Sequence, residues 1–244
     1  MIQGKSPLAT TTKPYKGLAM EGVIASWYAN NTRGDVRGYR RCAESIVGRL
    51  TPGSSVLEVA PGPGYLAIEI AKRGNFHVVG LDISHTFVRI ASENARQAGL
   101  AIEFRHGDAA HLPFPDESFD FVVCRAAFKN FSDPVGALDE IHRVLKPGGK
   151  ASIYDLRKDA SREDIDEEVR GMDLSWLNAL LTRWTFRFML LKTAYSSSAL
   201  ERMVAASRFG TGEVLQDGIG FDLRLAKELR GGRPEGDLST RTRR

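Results

Sequence analysis

Short apolar segments alternate with helical segments through the middle of the chain, and this alternation limits the possible fold more than any other feature. Strands separated by helices form a mostly parallel sheet with helices on both faces. The chain of 244 residues is therefore expected to fold as one α/β domain. The first five predicted strands are residues 55–60, 76–82, 102–106, 119–124 and 150–155.

Two further strands are predicted near the end of the chain, at 212–216 and 220–226. Asp217-Gly218 between them is typical of a hairpin turn, which predicts an antiparallel pair that completes a seven-stranded sheet. Residues 146–149, Lys-Pro-Gly-Gly, are predicted as a turn before the fifth strand.

Helices are expected before, between and after these strands. Ser84 and the segment Ser132-Asp133-Pro134 are typical starts of helices inside the sheet region. Outside it, helices are predicted at 19–29 and 35–50, over the whole of 159–192, and after the capping box Ser198-x-x-Glu201.

These elements predict one domain at residues 17–228, between a flexible polar arm at 1–16 and a basic disordered tail at 229–244. The parts of the domain are N-terminal helices at 17–53, a core at 54–155, a helical cover at 156–196, and a last helix with the closing strands at 197–228.

The positive charge of the chain is concentrated at its end. Of the formal net charge of +4, residues 230–244 contribute +3 through five arginines and two acidic residues. A nucleic-acid-binding domain usually carries a basic face on its folded body. A nucleic-acid partner is therefore not expected, and the tail is interpreted as solubilising.

The apolar runs and the cysteines bear on the compartment. No apolar run is long enough to span a bilayer as a helix. The lysines near the start have no apolar stretch behind them, which argues against a signal peptide. Cys42 and Cys124 are far apart and lack metal-ligand spacing, so they predict free thiols, no metal site and a reducing cytoplasm.

The first predicted strand runs into the loop Pro61-Gly62-Pro63-Gly64. Glycines let a ligand approach the backbone at the start of a helix, and ligands of open α/β sheets bind beyond the carboxyl ends of the strands. The loop also satisfies the dinucleotide pattern G-x-G-x-x-A. Pro61 and Pro63 lack N–H groups, however, so two donors to a pyrophosphate are missing.

Carboxylates follow the next two strands. Asp82 ends the second strand, where it can accept hydrogen bonds from both ribose hydroxyls of a nucleoside. Asp108, in Gly107-Asp108-Ala109, follows the third and can accept from an adenine amino group. The segments 116–120 and 143–149 then flank the fourth and fifth strands.

Together these motifs resemble the class I S-adenosylmethionine-dependent methyltransferases, and most closely the ubiquinone/menaquinone-biosynthesis type of small-molecule methyltransferase. The resemblance covers residues 54–155 well and the closing strands more loosely. It implies a Rossmann-like, doubly wound fold with S-adenosyl-L-methionine as cofactor and S-adenosyl-L-homocysteine as product. The implied reaction is direct transfer of a methyl group to a small acceptor.

The resemblance also implies roles for single residues. Glu58 and Arg125 match positions near the methionine part of the cofactor, Asp82 matches the ribose carboxylate, and Tyr28 resembles an aromatic residue that closes over the cofactor. Ala60 stands where glycine is commonest, and its methyl limits how closely the methionine part packs. The remaining predicted cofactor residues are Pro61, Gly62 and Gly64 in the loop, and Ile83, Asp108 and Ala109 at the adenine.

The acceptor and the catalytic groups are less constrained. Aromatic residues outside the core predict an apolar cover over an apolar acceptor, such as a quinone-like ring, a polyketide or a lipid; packing of the cover on the body explains them equally well. Arg183, Arg187 and Lys192 beside apolar residues allow peripheral contact with a membrane. Candidate acceptor residues are Trp27, Lys129, Trp184 and Phe188, and weak candidates for a base are His106 and His111.

Three alternatives stay open from the sequence. A nicotinamide-dependent oxidoreductase uses a similar glycine loop, an RNA methyltransferase uses a similar core, and a binding module can keep the fold without turnover. The acceptor atom and the oligomeric state are not specified.

Overall fold

The computed structural model describes residues 15–16, 20–172, 176–185 and 191–229, and its centre is a seven-stranded sheet. In chain order the strands are β1 (Ser55–Val59), β2 (His77–Asp82), β3 (Glu103–His106), β4 (Phe119–Arg125), β5 (Leu145–Leu156), β6 (Glu213–Asp217) and β7 (Gly220–Ala226). The helices are α1 (Gly22–Thr32), α2 (Val36–Val47), α3 (Tyr65–Ala71), α4 (His85–Gln97), α5 (Pro134–Val144), α6 (Arg162–Gly171), α7 (Trp176–Thr185) and α8 (Ser197–Ala206).

The strand order is β3-β2-β1-β4-β5-β7-β6. β1 to β5 pair in parallel, and β7 runs antiparallel to both β5 and β6. The predicted mostly parallel sheet with an antiparallel closing hairpin is confirmed.

Helices cover both faces of the sheet, as the predicted doubly wound fold requires. On one face Ile46 of α2 and Leu66 of α3 pack with Phe121 of β4. On the other face Leu138 of α5 and Leu200 of α8 belong to a second buried cluster. Burying these apolar side chains drives the two layers onto the sheet.

Local helix starts follow the sequence. Ser84 Oγ accepts from the N–H of Phe87 at 3.0 Å, and Asp133 Oδ1 accepts from the N–H of Gly136 at 2.8 Å. These side chains satisfy backbone donors that have no partner inside the helix. Both predicted helix starts are confirmed.

The predicted turn at 146–149 is wrong, because β5 begins at Leu145. Gly148 N donates to Lys227 O and Lys227 N donates to Gly149 O, each at 2.9 Å. The chain that leaves β7 thus pairs with these glycines and keeps them in the sheet.

Three local predictions near the end of the chain also need correction. The segment 159–192 is not one helix, because α6 ends at Gly171 and α7 begins at Trp176. The cap of α8 is Ser196, whose Oγ accepts from Ala199 N, and not Ser198. The hairpin loop is Gly218-Ile219, since Asp217 still pairs with Gly220.

The terminal predictions fall largely outside the described residues. Of the arm only residues 15–16 are described, and of the tail only residue 229. In the described ranges, no helix combines the length and the apolar character needed to cross a membrane.

Candidate functional site

The carboxyl ends of β1, β2 and β4 meet at one edge of the sheet, and the glycine loop follows β1 there. Ala60, the first residue after β1, has φ of 56°, in the left-handed region that favours glycine. This left-handed backbone conformation explains why glycine is the commonest residue at this position in the family that the sequence resembles. Gly64 has φ of 79°, and a Cβ there would lie 2.9 Å from Ala91 Cβ.

The backbone donors of the loop are already used. Gly62 N donates to Asp82 Oδ2 at 2.9 Å, and Gly64 N donates to Pro61 O at 3.0 Å. Pro61 and Pro63 have no N–H to donate. None of the residues 61–64 therefore has a free N–H group for a phosphate.

Asp82 is buried beside this loop, with 4% of its surface exposed. Its Oδ1 accepts from Ser84 N at 2.9 Å, so each carboxylate oxygen has one backbone donor. Burial raises the pKa of Asp82 to about 6, although the backbone N–H groups of Ser84 and Gly62 lower it. Because a carboxylate oxygen accepts two hydrogen bonds, each retains one position for a ribose hydroxyl.

Glu58 is the penultimate residue of β1, and it is 2% exposed. Its Oε2 is buried and has no hydrogen-bond partner. Burial raises the pKa of Glu58 to about 8, against the lowering effect of the Ala67 N–H and of Arg125. An unpaired buried carboxyl oxygen fits a site that receives a cationic or hydrogen-bonding ligand.

Arg125 ends β4 and connects the core to the N-terminal helices. One of its terminal nitrogens donates to Asp35 Oδ2 at 2.8 Å, and its guanidinium lies 4.4 Å from the ring centre of Tyr39. Asp35 also caps α2 through Gly38 N. The structure thus places Arg125 in an ion pair that a cofactor contact would have to share.

Helix α1 covers the same edge. Tyr28 is half-buried and packs edge-on against Phe87, with ring centres 5.8 Å apart. Glu21, just before α1, accepts from the backbone N–H groups of His85 at 2.8 Å and Thr86 at 3.1 Å. The N-terminal helix is therefore attached beside the Asp82 loop, where Tyr28 can close over a ligand.

The residues predicted at the adenine follow β2 and β3. Ile83 and Ala109 are partly buried, and Asp108 Oδ1 accepts from Ala110 N at 3.0 Å. His106 Nε2 donates to Ile83 O at 3.0 Å, and the His111 side chain is 84% exposed. Both histidines thus lie on the β3 side of the edge. The methionine part of the cofactor is predicted on the other side, near β1 and β4.

A buried ion pair closes the other side of the edge. Lys129 Nζ donates to Asp155 Oδ1 at 2.7 Å and to Ala126 O at 3.2 Å. The side chains of Lys129 and Asp155 are 13% and 1% exposed. Asp155 Oδ2 also accepts from Lys129 N, so the segment that follows β4 is fixed to the carboxyl end of β5.

The predicted aromatic cover is largely exposed. Trp27 is 65% and Trp184 52% exposed, and Trp176, Leu180 and Leu181 of α7 are exposed as well. Phe188 lies outside the described residues. The packing explanation for the cover is weak for Trp184, because half of its surface is not buried.

Sequence reasoning missed the partners of these groups. Asp35 and Asp155 each pair with a predicted site residue, and Glu21 anchors α1. The position of Asp155 at the end of the fifth predicted strand is the signal that could have identified it. Asp35 is 90 residues from Arg125, and no local pattern links them.

The side chains at this edge of the sheet fit S-adenosylmethionine better than a metal ion. Glu58 has an unpaired oxygen for the methionine part, and Asp82 has acceptor capacity for the ribose. Within the described ranges there is no cluster of three or more histidine, cysteine or acidic side chains that could hold a metal.

Comparison with known proteins gives three kinds of match. Residues 57–153 match the family model described as a methyltransferase domain. Demethylmenaquinone methyltransferases from Deinococcus radiodurans and Listeria welshimeri are 40% and 39% identical over 126 and 112 residues. These alignments cover 51% and 44% of this chain, and 52% and 47% of the relatives. The chain thus spans about half the length of the curated relatives it matches.

The structural match extends further. A candidate S-adenosyl-L-methionine-dependent methyltransferase from Methanococcus maripaludis superposes with a TM-score of 0.68 at 23% identity. The superposition covers 87% of this chain and 96% of that one, and it confirms the predicted fold. The roles of single residues and the boundaries of the domain parts stay predictions.

Proposed function

We propose that this chain is a class I S-adenosylmethionine-dependent methyltransferase of the menaquinone type, as its matched domain and its relatives support. Its proposed acceptor is a small aromatic compound of the quinone class. The methyltransferase domain matched over residues 57–153 supports the family and the cofactor predicted from the sequence. The activity of the whole chain and its acceptor belong to the proposal.

The observation that carries the proposal is the use of every backbone donor in the glycine loop. Gly62 N and Gly64 N are bonded within the protein, and the two prolines have none. A nicotinamide dinucleotide needs such donors for its pyrophosphate. S-adenosylmethionine has no phosphate, so the loop suits it and disfavours the oxidoreductase alternative.

The chain's own residues bind and align. S-adenosylmethionine supplies a methyl group on a sulfonium for direct displacement, so alignment and exclusion of water are the main tasks of the protein. Asp82 holds the ribose, Asp108 the adenine edge, and Glu58 the cationic methionine end. Tyr28 and the N-terminal helix cover the ligand.

Lys129 is proposed to face the acceptor. Its ammonium is fixed by Asp155 and by Ala126 O, which leaves one N–H for a ligand among the described contacts. A fixed cation stabilises an acceptor oxygen that carries negative charge. His106 and His111 are less suited as bases, because they lie on the adenine side.

The acceptor class rests on the relatives, which are demethylmenaquinone methyltransferases. The exposed apolar residues Trp176, Leu180 and Trp184 lie on one face of α7 at four-residue spacing. They support an apolar acceptor and peripheral contact with a lipid surface. A cytoplasmic location is part of the proposal and is supported by the unpaired thiols Cys42 and Cys124.

Isothermal calorimetry with S-adenosylmethionine, S-adenosylhomocysteine, NADH and NADPH tests the proposed function. We expect the first two to bind and the nicotinamides to give no heat of binding. Binding of NADH without a response to S-adenosylhomocysteine would overturn the assignment. Incubation with reduced short-chain naphthoquinones, followed by mass spectrometry for a gain of one methyl group, tests the acceptor separately.

A further inference from the structure

An open cavity lies apart from the candidate site, on the sheet face that α2 partly covers. Its volume is about 520 Å³, and its wall includes Arg49, Lys150 and Arg224. These three cations come from three different places, the end of α2, the start of the parallel part of β5, and β7. None of them belongs to the candidate site described above.

The strand register brings these side chains together. Ser152 pairs with Arg224, and Lys150 pairs with Ala226, so Lys150 and Arg224 are diagonal neighbours on one face. Arg49 reaches the same face, because one of its terminal nitrogens donates to Ser152 Oγ at 3.0 Å.

Arg49 is a partly buried cation whose hydrogen bonds all go to neutral acceptors. Its Nε donates to Ser45 O at 3.0 Å, and its terminal nitrogens donate to the hydroxyls of Ser152 and Tyr154. Its guanidinium lies 5.1 Å from the ring centre of Phe121. Within the described residues Arg49 forms no ion pair with a carboxylate, and a partly buried cation without an ion pair is a candidate partner for an anion.

The other two cations differ in whether a carboxylate compensates their charge. Arg224 donates to Asp222 Oδ2 at 2.8 Å and lies 4.0 Å from Glu213, so its charge is compensated. Lys150 is exposed and has no ion pair within the described part of the chain. The side formed by Arg49 and Lys150 is therefore positive.

The cavity wall is firmly packed at its loop. A Cβ at Gly212 would lie 2.6 Å from Leu225 Cδ2 and 3.2 Å from Arg224 O. This loop therefore lies directly on β7 and leaves no room for a larger residue. Arg49, Lys150 and Arg224 therefore line one open cavity beside this packed loop.

We propose that this cavity binds a small anion of the phosphate type, held by Arg49 and Lys150, with Arg224 next to Lys150 on the neighbouring strand. Guanidinium and ammonium groups are the usual protein partners of phosphate oxygens. The anion would supply the negative charge that Arg49 lacks. The cavity lies away from the carboxyl edge, so the anion is expected to bind independently of the methyltransferase ligands.

Thermal unfolding and calorimetry with inorganic phosphate, pyrophosphate and glycerol 3-phosphate test this site, with sodium chloride keeping the ionic strength constant. We expect Tm to rise by about 3 °C or more at ~10 times the Kd. The three probes separate a free phosphate, a diphosphate and a phosphomonoester. A rise no larger than that caused by chloride would contradict the proposal.

Substitutions locate the binding. Lys150→Ala is expected to weaken phosphate binding about tenfold, and Lys150→Arg to retain it. Lys158→Ala removes another exposed lysine, which does not line this cavity, and serves as the control. Equal affinities of Lys150→Ala and wild type, a larger loss in Lys158→Ala, or competition between phosphate and S-adenosylhomocysteine would each place the anion elsewhere and refute the site.

Discussion

Asp82 accepts a hydrogen bond through Oδ2 from the backbone N–H of Gly62 at 2.9 Å, which joins the end of β2 to the loop that follows β1. Its other oxygen accepts from Ser84 N, at the start of α4. One carboxylate thus sets the shape of two loops that surround the predicted cofactor position. Its structural role and its predicted binding role are therefore coupled in any substitution.

Replacing Asp82 by alanine should weaken the binding of S-adenosylhomocysteine by about 1.5 to 3 kcal/mol, the range for losing charge-assisted hydrogen bonds. The Kd is measured by calorimetry. Asp82→Asn is the matched control, because it can still accept from Gly62 while it lacks the charge. An unchanged Kd in a folded Asp82→Ala protein would mean that the carboxylate does not bind the ribose.

Glu58 should make stability fall as the pH rises above neutrality. Its pKa is raised from an ordinary value of 4.5 to about 8 by burial, so the folded state holds the proton more tightly than the unfolded state. This contribution to stability is fully present below about pH 4.5 and is lost as the pH rises through about 8. The slope reaches at most about 1.4 kcal/mol per pH unit.

Denaturant titrations between about pH 6.5 and 8.5 check this expectation. The lower limit avoids the titration of Asp82, whose pKa is about 6. Glu58→Gln has no proton to lose and should show a flatter dependence than wild type. Parallel curves for the two proteins would show that Glu58 does not titrate in this range.

The ion pair of Arg125 and Asp35 separates two roles of the arginine. Arg125→Met should weaken the binding of S-adenosylhomocysteine about tenfold if the guanidinium contacts the cofactor. Asp35→Asn breaks the same ion pair and keeps an efficient cap on α2. It should change the Kd less than about twofold. Equal effects of both variants would assign Arg125 to holding α2 alone.

Trp184→Ala should change the acceptor kinetics and leave the fold intact. The side chain is about half exposed, so Tm is expected to stay within about 2 °C of wild type. The acceptor KM should rise and the affinity for S-adenosylhomocysteine should stay constant, because the lost contacts are with the acceptor.

Leu200→Ala is the stability control for this series, because Leu200 is buried and its truncation costs about 2 to 5 kcal/mol. If Trp184→Ala loses as much stability and its activity falls only in proportion, the cover is a packing element.

The positive charge of Lys129 should lower the KM for the acceptor. Lys129→Met leaves Asp155 buried without its partner, which destabilises by about 3 to 5 kcal/mol. The double variant Lys129→Met with Asp155→Asn removes both charges and should regain part of the stability. It should still show a raised acceptor KM, whereas Lys129→Arg should restore KM. A normal KM in the stable double variant would exclude Lys129 from the acceptor site.

Much of the core could be predicted from the sequence because its signals are local. Apolar runs bounded by Gly and Pro predict the strands, and the caps Ser84 and Asp133 predict where helices begin. The carboxylate at the end of each strand is also a local feature. Because parallel strands end at one edge of the sheet, local order was sufficient to bring Asp82 beside the loop at Gly62.

Contacts between distant segments required the tertiary structure. The start of β5 was mispredicted because Gly148 and Gly149 pair with Lys227, which follows the last strand. The break between α6 and α7 was missed because an apolar and charged segment of that length has helical character throughout. Where a strand or helix begins and ends depends on which distant segments lie beside it in the folded protein.

The sequence by itself determined the order of strands and helices, the glycine loop and the carboxylates beside it, because neighbouring residues carry these features. Only the tertiary structure decided that Arg125 pairs with Asp35, that Lys129 pairs with Asp155, and that Arg49 and Lys150 line one cavity. It also decided that Glu58 is buried with an unpaired oxygen. Burial and ion pairing are set when helices pack on the sheet and bring distant segments together. The spacing of residues along the chain does not specify these contacts.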